Sequence, residues 1–360
     1  MKARRISIRE AVPGMITAED VYTFSNQLVI GKGTRLSDKV ITKLRFYSVS
    51  HFSIIVEEAK AQHTPPIAMD SYSKTIKASP EFKKFNESFV ESIGDFKSNL
   101  TEILKSEQDI DVTELLNHTN KIMSEARNGI HVFDMLHCLR TFDDITFVHS
   151  INVSLICRVF GGWLKLPSKD IEVLTLCGLL HDVGKLTLPT SIIQKKEPLT
   201  DEEFQLIKTH TIRGYKLLKD KNIDQRVKFA TLMHHERSDG TGYPRGLKGN
   251  EVSDFSKIVA IADVYDAMTS PRVYRDALCP FDAISMFENE GLQKYEPKYI
   301  MTFLENIGQS YLGNHVRLSN KLEGEIIMLN KQCLSRPVIK TGDVFIDLSK
   351  VHDLHIEAIL

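Results

Sequence analysis

Leu179-Leu180-His181-Asp182-Val183-Gly184-Lys185 sets a histidine and an aspartate side by side at the end of an apolar helical run. Such a run needs no polar residue there, and burying a carboxylate is costly unless it is paired or metal-bound. From one last helical turn an imidazole and a carboxylate can both reach one metal. The second carboxylate oxygen leaves Asp182 free to bridge to another. Gly184 then breaks the helix and sets Lys185 close to the same spot. By itself the pair is as compatible with a structural role as with metal binding.

Working outward, the neighbouring helices carry the same residue types. His149 lies in Thr146-Phe147-Val148-His149-Ser150-Ile151-Asn152-Val153, and Asp263 in Ile261-Ala262-Asp263-Val264-Tyr265-Asp266-Ala267. His210 follows Lys208-Thr209, and His234-His235 close a further helix. One histidine on one helix is ordinarily a core or surface residue. Five histidines and two aspartates on the helices between Ile130 and Leu312 are hard to explain that way, because helix bundles build metal sites from inward-facing ligands on several helices. His149, His181, Asp182 and Asp263 would take one ion; His210, His234 and His235, with Asp182 bridging, would take the other. Each ion keeps positions for water or substrate, as a catalytic site requires. The mixed nitrogen and oxygen donors suit two divalent transition-metal ions, iron or manganese first, with nickel or zinc as alternatives, and not calcium.

The rest of the chain frames this bundle. The expected fold is mainly α: a helical bundle catalytic domain with a small β-rich N-terminal module and a short β-rich C-terminal tail. Residues 1–58 read as a small α/β module of regulatory role, with a strand at Leu28–Thr34 running into a glycine turn and a helix over Ser37–Tyr47. Gly31-Lys32-Gly33 lacks the spacing of a phosphate loop and reads as a tight turn. Residues 59–128 read as a linker and connecting helices, with Phe89, Ile93, Phe96, Leu100 and Ile103 on one stripe. That stripe fits a connecting helix or a homodimer contact. Residues 129–312 form the catalytic domain. Within it Thr200-Asp201-Glu202-Glu203 is a capping box opening a helix that runs past His210. Residues 313–360 return to short strands.

Composition excludes several classes. Of 360 residues, 42% are hydrophobic and 26% charged, with a formal net charge of −1, so neither DNA nor a membrane surface is an expected partner. No run approaches the roughly 20 apolar residues that cross a bilayer. Met1–Ser7 has no apolar stretch behind it, which argues against a signal peptide. Five cysteines, odd in number and without a CxxC pair, argue for a reducing compartment, and the expected location is cytoplasmic.

These motifs together carry a resemblance. His149…His181-Asp182…Asp263 resembles the HD superfamily of metal phosphohydrolases. His234-His235-Glu236-Arg237-Ser238-Asp239-Gly240-Thr241-Gly242-Tyr243-Pro244-Arg245-Gly246-Leu247-Lys248-Gly249 is similar to the signature of its HD-GYP subgroup, as is Ala262–Ser270 followed by Arg272-Val273-Tyr274-Arg275. The resemblance implies a phosphodiesterase that hydrolyses cyclic di-GMP to pGpG and, in many members, on to GMP. It assigns Asp182 and Lys185 to catalysis, with Lys185 on the phosphate. It places Arg272 and Arg275 toward the second phosphate or a guanine edge. Tyr243, in the Gly242-Tyr243-Pro244 loop, would contact substrate, and the loop would meet partners such as diguanylate cyclases of the GGDEF type. Two departures stand out. Some members hold a third metal through an acidic residue one turn before the first histidine; that position is Ile145, with Asp143 and Asp144 out of register, so two ions are expected. Pro271 and Val273 replace an acidic residue and a proline.

Other substrates of the superfamily, such as (p)ppGpp, need mainly the His, His-Asp and Asp core, and the extra histidines argue against them. Cyclic GMP-AMP is not separated from cyclic di-GMP by any residue pattern. An adaptor that binds without turnover would be expected to have lost ligands, whereas all seven are present with Lys185. His131, His137, His352 and His355 read as ordinary core or surface positions.

Overall fold

A computed structural model describes residues 2–8, 11–22, 28–47, 49, 51–56, 76–105, 109–139, 145–195, 197, 199–270 and 277–360. The chain forms two compact units, Met1–Ala68 with Pro189–Ile207 and Pro271–Ala277, and Met69–Leu188 with Lys208–Ser270 and Leu278–Leu360.

In the first unit, β1 (Lys2–Ser7), β2 (Ile16–Thr17) and β5 (His51–Val56) make an antiparallel sheet in the order β1-β5-β2. β3 (Val21–Tyr22) pairs with β4 (Leu28–Ile30), and α1 spans Asp38–Phe46. Phe52 and Ile54, two residues apart on β5, point to one face and are buried with Ile6, Leu36, Ile41 and Leu44. β4 stops at Ile30, shorter than the expected strand, because the chain turns at once. Lys32 N–H donates to Asp20 Oδ1 (2.6 Å), Thr34 Oγ1 donates to the Gly31 carbonyl (2.6 Å), and Gly33 has φ +79°. The glycine pair is a turn.

The second unit holds the helices: α2 (Pro80–Lys105), α3 (Val112–Ser124), α4 (Gly129–Cys138), α5 (Ile145–Trp163), α6 (Ser168–Leu180), α8 (His210–Leu218), α9 (Gln225–Met233), α10 (Asp254–Thr269), α11 (Pro280–Met286) and α12 (Pro297–Ser310), while α7 (Asp201–Lys208) leads into it. The stripe on α2 faces inward. Phe89, Ile93, Phe96 and Leu100 are buried, α2 packs on α3 and α5, and the Phe96 ring meets Phe147 edge-on at 6.0 Å. An apolar face of this kind is covered by the chain itself.

α5, α6 and α10 pack against one another at the centre. At their close approach a Cβ on Gly178 would lie 2.8 Å from Ser154 Cα, so only glycine lets α6 run this near to α5. Phe133, Phe160, Trp163, Tyr265 and Phe303 form an aromatic cluster beneath. The expected single helix from Thr200 past His210 is two helices. The capping box forms (Glu203 N to Thr200 Oγ1 3.2 Å, Thr200 N to Glu203 Oε2 2.7 Å), but α7 ends at Lys208 and His210 opens α8.

The C-terminal strands β6 (His315–Leu318), β7 (Glu323–Met328), β8 (Val338–Thr341), β9 (Val344–Asp347) and β10 (Ile356–Ile359) form an antiparallel sheet in the order β10-β6-β7-β8-β9. Glu288 ties it to the helices by accepting from Leu334 N (2.5 Å) and Ser335 Oγ (2.5 Å).

Candidate metal centre

His181 caps the C-terminal end of α6, and Asp182 follows where the helix gives way to a 3-10 turn, Val183–Thr187. Gly184 sits in that turn because α8 passes directly over it. A Cβ there would lie 1.9 Å from the His210 carbonyl oxygen and 2.5 Å from Gly214 N. This contact brings the start of α8, and so His210, onto Asp182. α9 ends in His234-His235, α5 supplies His149 and α10 supplies Asp263. All seven expected ligands therefore converge.

Asp182 is central and 1% exposed. Its Oδ1 lies 3.2 Å from His210 Nε2 and 3.8 Å from His234 Nε2; its Oδ2 lies 3.3 Å from His181 Nε2 and 3.7 Å from His149 Nε2. Two groups of donors result, each with all atoms within 4.8 Å: Asp182, His210, His234 and His235, and His149, His181 and Asp182. Asp263 joins through His149 Nε2 (3.0 Å) and His235 Nδ1 (3.9 Å). Lys185 Nζ donates to Asp182 Oδ2 at 2.6 Å.

The ring tautomers are constrained from behind. His181 Nδ1 lies 2.7 Å from the Gly178 carbonyl, and His234 Nδ1 lies 3.0 Å from the Ala230 carbonyl, so both Nδ1 atoms donate and both Nε2 lone pairs turn inward. Burial and the imidazoles around them push His234 and His235 well below the usual histidine range, which keeps them neutral. Burial opposes the charge on Asp182, but Lys185 and His181 outweigh it and hold the carboxyl well below its ordinary value. Burial likewise opposes a charged His149, yet Asp263 and Asp266 raise it to about 9.

Whether these residues fit metal ions can be judged from two atoms. His181 Nε2 and Asp182 Oδ1 are fully buried without a hydrogen bond, a costly condition that a bound cation would relieve. Four Nε2 atoms (His149, His181, His210, His234), His235 and two carboxylates make a transition-metal donor set. The residues fit.

Tyr243 stacks on the His235 ring (centroids 4.5 Å apart, 24° between planes), and Lys208 Nζ lies 5.3 Å from the Tyr243 centroid. Arg272 and Arg275 lie outside the described residues, as do Asp143 and Asp144. Sequence reasoning missed Asp266 and Glu236. Asp266 Oδ2 lies 2.6 Å from His149 Nδ1, and its place three residues after Asp263, on the same helix face, was the available signal. Glu236, 3% exposed, accepts Arg245 N (2.8 Å) and Leu247 N (2.9 Å) and so pins the loop that carries Tyr243; its place directly after His235 was its signal.

An intertwined histidine and aspartate centre at the heart of a helical bundle defines a class, and a family profile described as "HD domain" matches residues 114–299. The chain belongs to the HD domain family. A cyclic di-GMP phosphodiesterase of Pseudomonas aeruginosa is 34% identical over 228 residues, which is 63% of this chain and 52% of that protein. A 3'3'-cGAMP-specific phosphodiesterase of Vibrio cholerae is 36% identical over 145 residues, 40% of this chain and 34% of that protein. The solved structure of Bd1817, an HDG"Y"P protein from Bdellovibrio bacteriovorus, is similar in fold, with a TM-score of 0.51 and 17% identity over 85% of this chain and 99% of that one. The chain spans about half the length of the first curated relatives it matches, 52%, 53% and 48%.

Proposed function

We propose that this chain is a cytoplasmic phosphodiesterase that opens cyclic di-GMP to pGpG and carries it on to GMP. The observation that carries the reading is Asp182, a buried carboxylate whose two oxygens face different groups of imidazoles. His149, His181, Asp182 and Asp263 would hold one divalent ion, iron or manganese, and His210, His234, His235 and Asp182 a second. Bound ions of this kind supply an activated water and neutralise phosphate charge.

The chain's own groups do the rest. Lys185 is the cation at the rim; its side chain is 25% exposed against 1% for Asp182, so it can leave the carboxylate and meet a phosphate oxygen. His181 and His234 keep fixed lone pairs because their Nδ1 protons are held by helix carbonyls. Tyr243, seated on His235, would contact substrate, and Arg272 and Arg275 would take the second phosphate or a guanine edge. Residues 129–312 would be the catalytic domain, 1–58 a regulatory module, 59–128 connecting helices and 313–360 a tail. The loop pinned by Glu236 would be the face for a GGDEF-type partner.

Cyclic GMP-AMP is the second reading, favoured by the likeness to the Vibrio cholerae enzyme. Elemental analysis of purified protein, paired with turnover of both dinucleotides by wild type and Asp182→Ala, tests both. About two ions per chain and faster loss of cyclic di-GMP, abolished by Asp182→Ala, is the expected result. Faster loss of cyclic GMP-AMP would reassign the substrate, and metal without turnover of either would leave a binding adaptor.

A further inference from the structure

The partners behind the rings of His149, His181 and His234 do not share one chemistry. His181 and His234 rest on main-chain carbonyls. His149 instead has a carboxylate, Asp266 Oδ2, 2.6 Å from its Nδ1. Asp266 is 3% exposed, and its other oxygen is also engaged: Oδ1 accepts from Asn152 Nδ2 at 2.9 Å and from Ser270 Oγ at 2.6 Å. Both oxygens therefore point away from the centre, so Asp266 is not arranged as a ligand. Asn152 comes from α5, one turn beyond His149, and Ser270 from the end of α10, so both helices that carry ligands also lock this carboxylate.

We infer that Asp266 is a positioning residue for His149, accepting a hydrogen bond from its Nδ1–H so that the Nε2 lone pair faces the ion. This inference rests on the metal-centre reading above. A carboxylate behind an imidazole fixes one tautomer and makes the distal nitrogen a better donor than a carbonyl does. The effect is local, because Asp266 bonds to His149, Asn152 and Ser270 and, among the described residues, to no other ligand of the centre. The ion position built on His149 and His181 is thereby held through a charged outer partner. The position built on His210, His234 and His235 has His234 backed by neutral carbonyls. Replacing Asp266 should weaken one binding event and spare the other.

The test is calorimetric titration of the metal-free 360-residue chain with Zn2+, alone and in competition with a chelator. Wild type is compared with Asp266→Asn, whose amide cannot accept from Asn152 and Ser270 while also serving His149. Two events in wild type, with one weakened about 10–100-fold in the variant and the other unchanged, is the expected result. Long-range proton–nitrogen NMR on the zinc-loaded proteins adds a readout that a merely structural role would not move. His149 should show a protonated Nδ1 and a metal-bound Nε2 in wild type, and lose that single tautomer in the variant. Equal weakening of both events, or unchanged binding with an unchanged tautomer, would overturn the inference. Should Asp266→Asn fail to fold, Asn152→Ala and Ser270→Ala loosen the carboxylate without touching it. Each should weaken the same event several-fold, and no change in either would again overturn the inference. Absence of zinc binding by wild type would instead remove the metal-centre reading itself.

Discussion

Asp182 and Lys185 lie in contact, three residues apart, yet their removal should have different consequences. Asp182→Ala takes a donor from both groups, so metal content and turnover should fall together, turnover by more than about 100-fold. Lys185→Met leaves every ligand in place, so the ions should remain while kcat falls about 100- to 1000-fold, as for loss of one preorganised charge partner. Metal analysis beside steady-state kinetics separates the two. A third residue speaks to stability. His137, half-buried, has Nε2 3.1 Å from Tyr311 Oη and 3.4 Å from Tyr265 Oη, and burial lowers its pKa to about 4. Unfolded, the ring titrates near 6.5. Between those values the unfolded chain holds a proton that the folded chain lacks, so this group costs nothing above about pH 6.5. Its cost grows as the pH falls toward about 4. Urea unfolding at pH 7 and pH 5 should show wild type losing more stability than His137→Gln over that interval.

At the scale of elements, the centre depends on how closely α8 crosses the turn after Asp182. Gly184→Ala would drive a methyl into the His210 carbonyl, and either α8 or the turn must move. A cost of about 1–3 kcal/mol is expected, with loss of metal from the His210 position, read by denaturant melts and metal titration. The ligands themselves were legible because His-Asp and Asp263 stand in, or at the end of, apolar helices where nothing else calls for polar residues, and His-His closes a neighbouring helix. The outer partners were not. Asp266 and Glu236 look like surface acids until the fold brings Asn152, Ser270 and the Arg245–Leu247 main chain around them. The break at Thr209 was hidden too, since no proline or glycine marks it. The stripe on α2 was read correctly as apolar, but sequence periodicity cannot name the surface that covers it. The answer here is α3 and α5. Phe96→Ala should accordingly cost about 3–5 kcal/mol, measured by thermal or urea unfolding.

Across the whole molecule, binding and folding share the same side chains. Ions that bind only the folded centre add stability in proportion to the logarithm of their concentration. At 100 times Kd the gain is about 2.7 kcal/mol, and chelation should lower the melting temperature by roughly 5 °C. The ligands are also dispersed along the chain, for His149 and Asp263, now 3.0 Å apart, are separated by 114 residues. At about 5–20 residues per second, a ribosome takes on the order of ten seconds to make that stretch. A nascent chain thus displays its histidine-aspartate pair well before it can close a centre around it, and competence arrives in a single late step, when α10 emerges and docks. Distance in sequence becomes delay in time, and an unfinished copy lacks the carboxylate that completes the centre.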